Sequence, residues 1–74
     1  MRITYDADAD AAYIAVVDDV PAGAATQQVH SISTPGGRGE VVLDFDAHDR
    51  LLGVEVLGAR AVLAPEVLDI ASAP

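Results

Sequence analysis

Asp44, Asp46, His48 and Asp49 are the residues of this sequence best suited to chemistry by type and spacing. An imidazole beside carboxylates can hold a divalent cation or act as a general acid/base pair, so Asp44, Asp46 and His48 form one candidate cluster. On a strand, Asp44 and Asp46 point to the same side, about 7 Å apart. That alternation also places them opposite Leu43 and Phe45, the pattern of a solvent-facing hairpin arm, while Asp46 and Asp49 are ordinary turn residues. Asp6, Asp8 and Asp10 have the spacing of the first half of a calcium loop. Such a loop requires Gly at its sixth position and Glu at its twelfth, and Ala11 and Val17 stand there instead. The trio reads as an acidic turn. Glu55 lies in the most apolar stretch of the chain. If both faces of that strand are covered, its carboxylate needs Arg2, Arg50 or Arg60; if one face is open, it is a surface residue. His30, among Gln27, Gln28, Ser31 and Ser33, lacks a serine on a nucleophile elbow. The loop Thr34–Gly39 has neither phosphate-loop spacing nor a following helix. No catalytic residue, cofactor site or functional metal site is expected.

The elements that position these residues follow from periodicity. Arg2–Asp6 alternates polar and apolar as a short strand, with Ile3 and Tyr5 inward. Ala11–Val17 is β-branched and apolar on both faces, which suits a central strand. Ala25–Ser33 is weaker and more polar, which suits an edge. Glu40–Asp46 and Leu51–Leu57 form the strongest pair, joined by the hairpin loop Ala47–Arg50. Beyond Gly58, Leu63, Val67, Leu68 and Ile70 fit one stripe of a helix, with Pro65 in its first turn and Glu66 near its positive end. The expectation is a single α+β domain over residues 1–74, a small antiparallel β-meander of about five strands with one C-terminal helix packed on a face.

Composition narrows the functional classes. Seventy-four residues bury a limited core, and much of the 51% hydrophobic content is Ala and Val. Cysteine is absent, which removes disulfides, thiolate metal sites and thiol nucleophiles. A net charge of −8, from twelve acids against four basic residues, makes free nucleic acid and anionic membranes poor partners and a basic protein a compatible one. No apolar run reaches the ~20 residues of a membrane span, and the N-terminus lacks a signal-peptide core, so a cytoplasmic protein is expected.

Ile3-Thr4-Tyr5-Asp6, the run Asp8–Ile14, Leu43-Asp44-Phe45-Asp46 and the run Arg50–Leu57 together resemble the bacterial family called domain of unknown function 2283. The likeness covers nearly the whole chain except residues 18–40. The family usually carries Gly where Asp49 stands and a larger apolar residue where Ala12 stands. Asp tolerates the left-handed conformation better than most residues, so the turn is expected to survive. The resemblance implies no catalytic residues. Relatives encoded beside small toxin-like proteins imply an antitoxin-like or partner-binding role.

The leading expectation is a non-enzymatic protein-interaction module, antitoxin-like, that binds a small basic partner through Asp18, Asp19, Asp44 and Asp46. A metal-dependent enzyme or metal-binding protein built on Asp44, Asp46 and His48 is one alternative. A self-associating structural domain is another. A homodimer is expected in any case, because a short sheet with one short helix leaves an edge or a face uncovered.

Overall fold

The structure, a computed structural model, describes residues 1–74. Five strands form: β1 (Arg2–Asp6), β2 (Ala11–Ala15), β3 (Gln27–Ser33), β4 (Glu40–Phe45) and β5 (Leu51–Leu57). Two short helices, α1 (Ala59–Val62) and α2 (Pro65–Ile70), follow them. All strand pairs are antiparallel, so the class is the α+β one expected.

The order across the sheet is β1-β2-β5-β4-β3, which departs from a meander in chain order. The chain leaves β2, second from one edge, and crosses through residues 16–26 to the far edge. It then returns through two hairpins until β5 lies against β2. The polar strand β3 is the edge that its composition suggested, and all of its residues are exposed. The helical segment is also divided. Ala64 precedes Pro65, and the proline ring disfavours the α conformation in its predecessor. Ala64 is accordingly extended (φ −63°, ψ 146°), and the helix restarts at Pro65. No helix is long and apolar enough to cross a membrane.

Cross-strand partners share a face, so the register sorts every strand residue onto one of two surfaces. Ile3, Tyr5, Ala12, Ile14, Val54, Val56, Val41, Leu43, Val29 and Ile32 share the first. Both helices pack there, with Ala59 against Ala12 and Val56, and Val62, Leu63 and Leu68 around them. Ala59 and Ala12 are almost fully buried, and their small side chains let the helix backbone come close to the sheet. The acidic turn supplies the second anchor. Arg60 N–H and Tyr5 Oη donate to Asp10 Oδ1 at 3.0 and 2.8 Å. Gly58 and Ala59 N–H donate to the Asp10 carbonyl at 3.0 Å each. Asp10 therefore satisfies backbone donors at the start of α1, the service an N-cap performs, although it is distant in sequence. At the outer edge of β1, Ser72 N–H donates to Ile3 O (2.9 Å) and Tyr5 N–H to Ser72 O (2.8 Å), so the C-terminal segment covers that edge.

The opposite surface carries no helix. It presents Thr4, Tyr13, Ala15, Gly53, Glu55, Val42, Asp44 and Gln28. The Tyr13 ring passes over Gly53 to reach Asp44 two strands away, and a Cβ at Gly53 would collide with the ring edge and hydroxyl. A strand glycine often marks such a close approach. Gly53→Ala should therefore destabilise the domain by about 1–3 kcal/mol, the usual range for overpacking. Urea unfolding checks this. The cost should shrink when Tyr13 is replaced by Ser in the same chain, because the collision is then gone.

Candidate functional site

The helix-free face holds the most organised polar constellation in the chain. Tyr13 Oη donates to Asp44 Oδ2 at 3.1 Å, and Gln28 Nε2 donates to Asp44 Oδ1 at 2.8 Å. Each residue is delivered by a different strand: Tyr13 by β2, Asp44 by β4 and Gln28 by the edge strand β3. Asp44 is 8% exposed, and both of its oxygens are engaged by neutral donors. Its position corrects the expectation of a solvent-facing hairpin arm. Alternation did place Asp44 opposite Leu43, but the outward face at that point is roofed by the tyrosine and the glutamine. Loss of water around Tyr13 pushes its phenol up to about 12, with the Asp44 hydrogen bond and the charges of Asp44 and Glu55 adding to the effect.

Two shallow hollows flank Tyr13. One, of about 120 Å³, is lined by Arg2, Thr4, Tyr13, Asp18 and Asp19 among others. The other, of about 300 Å³, is lined by Thr4, Asp6, Tyr13, Glu55 and Pro74 among others. Glu55 lies half-buried between Tyr13 and Val42. The ion pairs of the chain are Met1 amino group to Asp18 (3.8 Å) and Arg50 to Asp46 (3.0 Å), so none of Arg2, Arg50 and Arg60 serves Glu55. Of its two anticipated settings, the one with an open face is realised.

The structure does not bring Asp44, Asp46 and His48 together. A register irregularity lies between Asp44 and Phe45 of β4 and their partners on β5. Asp46 then folds into the hairpin loop, where it accepts from His48 N (2.8 Å), Arg50 N (3.0 Å) and Arg50 Nε (3.0 Å). These donors, the Arg50 amide first, hold its carboxyl below the usual range. His48 is exposed at the tip. Asp49 adopts the left-handed conformation (φ 62°) that the turn requires, and it accepts from Gln27 Nε2 at 2.7 Å. Nowhere in the chain do three His, Asp or Glu side chains converge as a metal site would require. Asp6 turns inward to accept from Asp8 N and Ala9 N at 3.0 and 3.3 Å, so the acidic turn is held by its own carboxylate. Of the four acids expected to meet a partner, Asp18 and Asp19 are exposed beside the first hollow, whereas Asp46 is bound into its turn and Asp44 is enclosed.

Sequence reasoning missed Tyr13 and Gln28 as members of this constellation. The one signal in the sequence was Gly53, a glycine inside the most apolar strand.

The model of the family described as "Protein of unknown function (DUF2283)" matches residues 2–60, and the chain belongs to that family. The match takes in the whole sheet, and it ends within α1. No curated protein and no solved structure matches the chain.

The Tyr13 contact gives a measurable pH dependence. The unfolded chain releases this phenolic proton near 10.0, whereas the folded chain retains it to about 12. Over that window the folded state holds more protons than the unfolded state, so stability should fall as pH rises. Tyr13→Phe should remove this component of the alkaline slope and cost about 1–3 kcal/mol at neutral pH, as expected for losing a hydrogen bond to a charged group. Phenolate absorbance and urea midpoints across the alkaline range check both outcomes.

Proposed function

We propose that this member of the family is a non-enzymatic protein-interaction module whose helix-free sheet face receives a small basic protein; an antitoxin-like role is the biological form this reading takes. The observation that carries it is the segregation of charge across the sheet. Asp6, Glu40, Asp44 and Glu55 all fall on the helix-free face, Asp18 and Asp19 rim it, and Arg2 is its one basic strand residue. The strand residues of the helix-bearing face include no acid; the acids on that side are Asp10, bound to Tyr5 and Arg60, and Glu66 and Asp69 of α2. Summed fields of this kind steer an oppositely charged partner toward one surface. Glu55 adds a half-buried carboxylate with no cation of its own, so a partner's Arg or Lys would supply a counter-charge there.

Tyr13 and Asp44 organise this face. Replacing Asp44 would disturb the enclosed hydrogen bonds as well as the charge, so it is a poor probe of steering. Asp18, Asp19 and Glu55 are cleaner probes. The products of the genes adjacent to this one, purified singly, are the partners to test by stopped-flow association. With the cognate product, the rate should fall steeply as salt rises, because exposed charges are screened over about 8 Å at physiological ionic strength. The triple variant Asp18→Asn/Asp19→Asn/Glu55→Gln should slow association about tenfold at low salt and change dissociation far less. A rate that is flat in salt, or no complex with any adjacent product, would sink the proposal.

A further inference from the structure

The helix-bearing face is covered over only half of its width. Residues packed on the Ala12–Val56–Ala59 centre come from β1, β2, β5 and the helices. Beyond them Val29 and Ile32 of β3 and Val41, Leu43 and Phe45 of β4 continue the apolar face outside that cluster. Val29 is 49% exposed and Ile32 is 37% exposed. A chain with so few buried large side chains leaves a considerable part of its apolar content here.

We infer that this half, with Val29 and Ile32 exposed and Val41, Leu43 and Phe45 half-buried beside them, seats a second copy of the same chain. Area, charge and edge geometry each bear on the choice of occupant.

A 7.6 kDa monomer is expected to expose about 4,300 Å². This chain exposes 4757 Å², roughly 450 Å² more. That surplus is about half of the ~800 Å² that each partner gives up in a standard interface.

Charge selects the partner. Residues 20–39 contain none of the twelve acids, while Arg38 and His30 lie within them. Two chains of charge −8 repel over most of their surface, and the Val29–Ile32 end of this face, away from the Asp49 carboxylate held by Gln27, is where they can approach with the fewest opposing carboxylates. A basic protein would find nothing here to attract it.

Edge geometry selects the mode. Between Val29 and Ile32 the β3–β4 register shifts, and Ser31 is left-handed (φ 64°). A bulge of this kind interrupts the row of edge donors and acceptors and blunts strand-to-strand addition. The copies therefore meet face to face, apolar row on apolar row, and a two-fold arrangement closes the contact. The inference is independent of the basic-partner reading, which uses the other face.

Sedimentation equilibrium of the full chain tests it. The wild type should be a dimer at high micromolar concentration, and added sodium chloride should tighten the dimer by screening the net charge. Val29→Asp should weaken it on the order of a hundredfold, since an apolar contact is lost in both copies and charge is introduced between them. Ile70→Asp, at a residue 74% exposed on α2, should leave it unchanged. If Val29→Asp fails to fold, Val29→Cys replaces it: with no other cysteine present, oxidation should link the chains into covalent dimers. A wild type that remains monomeric overturns the inference. So does a dimer that persists in folded Val29→Asp, or one that loosens with salt.

Discussion

The pairing of β2 with β5 joins the two halves of this chain, and both surfaces are built across it. On one side Ala12 and Val56 meet at the seam and receive Ala59. On the other side Tyr13 spans the seam over Gly53 to reach Asp44. Small residues are therefore not a weakness of composition at these positions. Ala12, Ala59 and Gly53 each allow a close approach that a larger side chain would prevent. A core of this kind gains little per residue from burial, and its stability rests on fit. The helix anchor at Asp10 works in the same direction, since it ties the first turn of the chain to the first turn of α1.

Much of the fold was legible because it depends on local pattern. Strand positions follow from alternation and β-branching, and the two strongest strands fall within a residue of their expected limits. The edge character of β3 follows from its polar fraction. Strand order was less legible, since nothing local in β2 indicates whether β3 or β5 will be its neighbour. The helix was expected as one unit because the stripe Leu63–Ile70 is periodic, whereas α1 is a four-residue piece, too short to carry a period. The left-handed turn at Asp49 was expected from the resemblance, since the family usually carries Gly there. Ser31 and Asp10 take the same left-handed conformation for reasons set by tertiary contacts, a bulge opposite β4 and the anchoring of α1.

The candidate site was legible only in fragments. Asp44 was singled out, but with the wrong companions: period-two reasoning grouped it with Asp46 and His48, which are near in sequence. The structure groups it with Tyr13 and Gln28, which are 31 and 16 positions away. An alternating pattern states which residues share a face and is silent on what crosses that face from another strand. The outcome is a sheet with two chemistries, one surface acidic and organised around a tyrosine, the other apolar and partly covered by helices.

The long crossing from β2 to β3 has a kinetic meaning. The β1–β2, β3–β4 and β4–β5 pairs each close over a short loop, so they form at small entropic cost. Pairing Ala15 with Gly53 must instead gather in everything between them, half of the chain. The largest loop-closure cost in the sheet thus falls on this one pairing, which joins the β1–β2 hairpin to the β3–β4–β5 unit. Until that pairing forms, the Tyr13 ring has no Gly53 beneath it and Ala59 has no Ala12 to meet. The contacts that cross the seam on both surfaces, Tyr13 over Gly53 and Ala59 against Ala12 and Val56, therefore all depend on that one pairing.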